Sequence, residues 1–455
     1  MTGGFPKSAS ALAIAAAAGL LASSLSLAPS KAVAADLGGD CCADLEERVA
    51  NLEVTTARKG NKKVSLTISG RVHANIMYWN DNFGLNDPSV AATAFDHNSD
   101  VYFGNTAGSG SNIVLNGSGK VTSDLSAGFL MTLADDFGGT SNQISHQTGP
   151  SLLGDTTYVF LASKALGELR LGNMASASDN GYYLNFGAAT VGGLAGGRFT
   201  GDFRLRNTAG KLTDVTYSQI LHEWSDKNEN RLMYISPNLG GFKLYADVGG
   251  DDTASAALAW VGKFNTVNLE AGVGYQTSTR IDGVSHQVQF TANPPVTGTG
   301  STAFAPLTNT ANDNLRELGV SGSIYETNSG LFLSGEYSRA YSAIATRQDI
   351  SNWFVEGGWQ KNVTGAGLTS IYAQYMVQYN GLKNDTQGHL FGVGIDQAID
   401  SAASNVYLHY QRDSYDTDGG IPGGGAGASL ASTGPAGAVN SQAIDSVTGG
   451  MIIHF

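Results

Sequence analysis

Eight histidines, His73, His97, His146, His222, His286, His389, His409 and His454, are the side chains of this sequence best suited to metal ligation or proton transfer, and their spacing supports neither. No pair stands in a His-Glu-x-x-His pattern. The two cysteines, Cys41 and Cys42, are adjacent to each other and lie at no zinc-site interval from any histidine. The glycine cluster from 419 to 427 is followed by no Lys-Ser or Lys-Thr, so it is not a phosphate-binding loop. Ser, His and Asp occur with no motif that would gather them. The sequence calls for no catalytic residue, no metal and no cofactor.

Pattern stands where chemistry is missing. From Val64 the even positions Val64, Leu66, Ile68, Gly70, Val72, Ala74, Ile76 and Tyr78 form an apolar set, while Ser65, Thr67, Ser69, Arg71, His73 and Asn75 form a polar one. Successive side chains of a strand point to opposite faces, so one strand separates the two sets. The run from 64 to 78 exceeds the roughly five or six residues of a globular strand and suits a tilted membrane crossing. The same alternation returns at 125–133, 242–248, 267–275, 318–324, 330–338, 352–360, 369–379, 389–396, 404–412 and 446–455.

Composition agrees. Of 455 residues, 60 are Gly, and charged residues are 14% where about 25% is usual. A hydrophobic fraction of 42% is too apolar for a disordered chain, yet the longest apolar stretch, 11–22, is shorter than the ~20 residues a helix needs to cross a bilayer. A helical membrane protein is excluded. A soluble sandwich would bury the apolar face, whereas a membrane barrel turns it to lipid and keeps a polar lumen. Aromatics at strand ends, such as Tyr78 and Trp79, Trp353 and Phe354, or Tyr407 and Tyr410, favour the barrel. So does the alternation of short turns, 238–241 and 327–330, with long polar loops at 80–99, 135–155, 174–212, 293–314 and 413–443.

The N-terminus has the grammar of an export signal: Lys7, an Ala/Leu-rich core from 11 to 27, and Ala32-Val33-Ala34 at the cleavage position. Removing 1–34 takes away Lys7 and Lys31 and no acid, moving the formal charge from −13 to −15, a sign that disfavours nucleic acid. Beyond it, Cys42, Leu45, Val49, Leu52 and Thr56 fall three and four apart, a helical seam of about two heptads. Two readings stand: a lone amphipathic helix capping the domain, or a short coiled coil joining identical subunits.

The segment Cys-Cys-Ala-Asp-Leu-Glu-Glu-Arg-Val-Ala-Asn-Leu-Glu at 41–53, the run Arg58-Lys59-Gly60-Asn61-Lys62-Lys63-Val64-Ser65-Leu66 and the closing strand ending in Phe455 resemble the general porins of alphaproteobacterial outer membranes. Residues 231–245, Arg-Leu-Met-Tyr-Ile-Ser-Pro-Asn-Leu-Gly-Gly-Phe-Lys-Leu-Tyr, are similar to a hairpin shared among general porins. The resemblance implies an all-β transmembrane antiparallel barrel of about 16 strands, exported to the bacterial outer membrane and assembled as a homotrimer. It implies passive diffusion of small hydrophilic solutes and ions and no enzymatic activity. An outer-membrane hydrolase and a surface adhesin are the alternatives. On the closing strand Met451, Ile453 and Phe455 share a parity and resemble the signal read by the barrel-assembly machinery.

The same resemblance places a constriction loop after Gly167-Glu168-Leu169-Arg170-Leu171-Gly172, at 174–212, with Asp179 and Asp202 as its acids. Parity puts Arg71, Lys120 and Arg170 on polar strand faces, where they would oppose those acids across the pore. The expected organisation is a signal at 1–34, a periplasmic helical segment and linker at 35–63 with Leu45, Val49 and Leu52 at its seam, and a barrel over 64–455.

Overall fold

The computed structural model describes residues 63–81, 99–104, 110–135, 152–182, 203–206, 212–216, 228–250, 253–278, 315–341, 348–381, 384–417 and 441–455. The signal, Cys41 and Cys42, and the seam residues Leu45, Val49 and Leu52 lie outside them.

The strands are β1 (Ser65–Asn80), β2 (Ser99–Gly104), β3 (Ser111–Lys120), β4 (Leu125–Asp135), β5 (Leu152–Ser163), β6 (Gly167–Met174), β7 (Arg204–Arg206), β8 (Leu212–Thr216), β9 (Glu229–Ile235), β10 (Phe242–Gly249), β11 (Thr253–Phe264), β12 (Val267–Ser278), β13 (Leu315–Glu326), β14 (Leu331–Tyr341), β15 (Ile350–Lys361), β16 (Thr369–Tyr379), β17 (Thr386–Ile399), β18 (Ser404–Thr417) and β19 (Ser441–His454). A helical turn, α1 (Asp179–Tyr182), follows β6. Apart from the separate β7–β8 pair, these strands form one antiparallel sheet closed by the pairing of β1 with β19, from Arg71 opposite His454 to Asn80 opposite Asp445. Closure matters physically: it leaves no unpaired edge, and in hydrocarbon each unpaired backbone group would cost several kcal/mol.

β2 and β3 occupy one place in the ring, because β2 pairs with the upper half of β1 and β3 with the lower half. The barrel therefore has 16 strands. Between the two registers the hydroxyl of Ser111 fills the ladder, accepting from the His73 amide at 3.0 Å. No helix among the described residues is long and apolar enough to cross a membrane.

Alternation now has a direction. On β1, His73, Asn75, Met77 and Trp79 are buried, while Val72 is exposed on the other face. The same split runs round the ring, with Val159, Leu161, Leu169, Leu171, Leu258, Val320, Val355 and Ile371 exposed, and Gln276, Ser321, Ser334, Gln374 and Thr448 buried. Apolar side chains outside and polar ones inside is the inverse of a soluble sheet and the pattern of a membrane barrel. Connections sort by rim as well. Short turns such as 121–124, 164–166, 265–266 and 327–330 join strands at one end, and the long connections at 81–98, 136–151, 175–228, 279–314 and 418–440 join them at the other. The closing residues Met451, Ile453 and Phe455 are exposed on the outer face.

Candidate functional site

The connection after β6 is the longest in the chain, because the wall resumes only at Glu229; it extends beyond the 174–212 read from the sequence and holds the β7–β8 pair. Its first turn folds inward. Met174 and Ala177 pack with Met233 and Ile235 of β9, against Tyr158 and Tyr245. From there α1 lies on the inner face of β11 to β13.

Polar contacts hold it. The Asp247 carboxylate of β10 accepts the amide of Ala177 with one oxygen, and the same oxygen accepts the Ser255 hydroxyl. Its other oxygen takes the Arg231 guanidinium at 3.0 Å, and Arg231 also pairs with Glu229 at 3.3 Å. The amide of Ser178 donates to Ser255 Oγ at 3.3 Å, and its hydroxyl donates to Gln276 of β12 at 3.4 Å. Gln276 in turn donates to Glu317 of β13, and Ser321 donates to the carbonyl of Gly181 at 3.1 Å. Two glycines let backbone meet backbone here: a Cβ at Gly274 would strike the Ser178 carbonyl, and one at Gly181 would strike that of Val273.

A second contact fixes the same connection elsewhere. Phe203, fully buried, stands edge-on to Trp79 of β1, ring centroids 5.5 Å apart, and lies 6.2 Å from Tyr102 of β2. Counting round the ring, β1 is the first strand and β12 the ninth of 16. The two attachments therefore fall on opposite walls.

The sequence-derived residues are distributed unevenly around this arrangement. Arg71 is on the inner face of β1 and donates to the Gly110 carbonyl at 3.0 Å. Arg170 is on the inner face of β6, paired with Glu168 at 2.6 Å and 4.8 Å from the ring centroid of Tyr158. Lys120 ends β3 at the short-turn rim, exposed and away from the inward turn. Asp179 opens α1, in 3.5 Å contact with Ser176 Oγ. Asp202 lies outside the described residues.

The sequence reading missed Arg231, Asp247, Ser255, Gln276 and Glu317. It also missed a carboxylate wall. Glu317 of β13, Glu336 of β14, Glu356 of β15, Asp396 of β17 and Asp413 of β18 are all buried on the inner face. Among the described residues, every arginine and lysine of these strands has the opposite parity and faces outward. No group of three or more His, Cys, Asp or Glu among the described residues is placed to hold a metal.

Residues 9–418 match the family described as Gram-negative porin. No curated protein matches the sequence. Among solved structures, the outer-membrane expressed OmpT of Vibrio cholerae is similar at 15% identity, covering 87% of this chain and 99% of that one with a TM-score of 0.51. The in-vitro folded form of the same protein is similar at 13% identity over the same shares, also with a TM-score of 0.51. At such identity the likeness is one of fold, which agrees with the closed barrel and its inverted faces. The family match over most of its length and that barrel together place this chain in the Gram-negative porin family, as a channel protein of the bacterial outer membrane.

Proposed function

We propose that the protein is a homotrimeric diffusion channel for small hydrophilic solutes and ions, narrowed by the connection that follows β6 and biased toward cations. The observation that carries the reading is the attachment of that connection to opposite walls, at Asp247 and at Trp79. A chain tied at both points sets the size of what passes. The carboxylates of β13 to β18 supply the sign: acids seated in the inner wall lower the energy of a cation in the lumen and raise that of an anion. Arg71 and Arg170, on β1 and β6, supply a weaker field of opposite sign. On this reading residues 1–34 are removed on export, and the barrel works without catalysis or cofactor.

The test is conductance in planar bilayers together with swelling of proteoliposomes in sugars of graded size. Ohmic steps arriving in threes, with swelling that falls steeply as the sugar grows, are expected. Protein shown to be folded by its heat-modifiable gel mobility, yet giving no conductance, would overturn the reading.

A further inference from the structure

The outer face near the long-loop rim carries an arrangement that passage through the lumen does not use. Arg316 of β13 is opposite Tyr341 of β14, and Arg339 of β14 is opposite Leu318, so both arginines point outward from neighbouring strands. Both guanidinium groups lie over the Tyr341 ring, 6.0 Å and 5.1 Å from its centroid. Arg339 is matched by Asp349, to which its Nε and Nη2 donate at 3.0 and 2.7 Å. Arg316 forms no ion pair with a carboxylate among the described residues. Tyr337 and Trp353, 4.4 Å apart, continue the outward aromatic row onto β15 and mark this as the depth of a membrane-interface girdle.

Elsewhere on the outer face the protein closes such a charge itself. Arg412 donates to both oxygens of Asp445, which also accepts the Tyr410 hydroxyl at 2.7 Å. Among the described residues two cations meet one carboxylate at Tyr341, and a surplus positive charge at the edge of hydrocarbon is costly without a counter-ion. Long loops face the cell exterior in such barrels, so the counter-ion at this depth comes from the outer leaflet. A guanidinium fork matches phosphate oxygens geometrically, and its face stacks on tyrosine.

We propose that Arg316, with Tyr341 and Arg339, binds the phosphate headgroup of an anionic lipid in the leaflet on the long-loop side. The test is native mass spectrometry of the full-length protein in neutral detergent, titrated with phosphatidylglycerol or with phosphatidylcholine of the same acyl chains. Wild type should retain the anionic lipid preferentially. Arg316→Gln should weaken that retention about fivefold, the weight of one basic residue beside an anionic surface. Arg316→Lys, which keeps the charge and loses the fork, should fall between them, and Lys361→Gln, on the outer face at the short-turn rim, should leave retention unchanged. Equal retention of the two lipids, or of the anionic lipid by wild type and Arg316→Gln, would overturn the proposal. Displacement of the lipid by millimolar inorganic phosphate would assign the site to free phosphate and overturn it as well. Conductance is read in parallel, so failure of lipid binding and failure of the channel are separable.

Discussion

Arg231 and Asp247 face each other on neighbouring strands of the inner wall, 3.0 Å apart, and the carboxylate oxygen that Arg231 leaves unused takes the backbone amide of Ala177. An ion pair between two wall residues is thereby also the fastening of the connection that enters the lumen. Removing one partner of a buried pair typically costs about 3–5 kcal/mol because the other charge stays behind. Here Arg231 keeps Glu229 at 3.3 Å, so the loss falls mainly on the fastening.

Asp247→Ala should therefore loosen the entering segment while sparing the strand ladders that hold the barrel. Single-channel conductance should rise, and proteoliposomes should swell in sugars that wild type excludes. Asp247→Asn, which keeps an oxygen to accept the Ala177 amide, should fall between the two. An unchanged size limit in Asp247→Ala, with normal heat-modifiable mobility, would detach the fastening from selectivity.

Charge predicts the reversal potential. Glu336 and Glu356 stand on adjacent strands with Phe354 opposite the first and Ser334 opposite the second, which makes them diagonal neighbours on one wall. The double variant Glu336→Gln and Glu356→Gln should lower cation preference in a salt gradient, whereas Arg71→Ala should raise it. Both shifts should shrink as salt rises, because charges more than about 8 Å from a passing ion are screened at physiological ionic strength. Identical reversal potentials in all three proteins would show that ions pass elsewhere in the lumen.

Much of the barrel was legible in the sequence because a period of two is local information. Val72 and His73 declare opposite faces whatever their neighbours do, and Val447 to Phe455 do the same at the other end of the chain. Arg231 and Asp247 were equally visible as polar positions in alternating strands. Their partnership was not, because it depends on Leu232 pairing with Val248 and on a loop seventy residues upstream in contact order. The carboxylate wall has the same character: each acid is one polar residue in its own strand, and the wall exists only once the six strands β13 to β18 are set side by side. The break between β2 and β3 escaped the reading for a different reason, since Ser111 completes the ladder with a side chain and no periodicity records that.

Barrel closure offers a stability test. Tyr407 of β18 reaches across Gly450 of β19 to share a 2.8 Å hydrogen bond with Nε2 of His73 on β1. A Cβ at Gly450 would lie 2.6 Å from the tyrosine oxygen and 2.7 Å from the Ala74 carbonyl. Gly450→Ala should thus overpack the closing seam at a cost of about 1–3 kcal/mol. The temperature at which the folded gel band disappears should fall. Gly154→Ala, where an added methyl meets nothing within 4 Å, is the control and should leave that temperature unchanged.

The two attachments of the entering connection can be tested against each other. Phe203 is tied to β1 and β2 through Trp79 and Tyr102, and Ala177 to β10 through Asp247, so a segment released at one wall is still held at the other. Each single variant, Phe203→Ala or Asp247→Ala, should widen the size limit modestly. The double variant should widen it by more than the combined single effects, because only then does the segment lose both ends; sites this far apart with no shared partner would otherwise act additively to within about 0.5 kcal/mol. Swelling rates for a graded sugar series in the four proteins complete the cycle. Strict additivity would mean that the two contacts belong to independent structures, and the connection after β6 would then not act as one strap across the lumen.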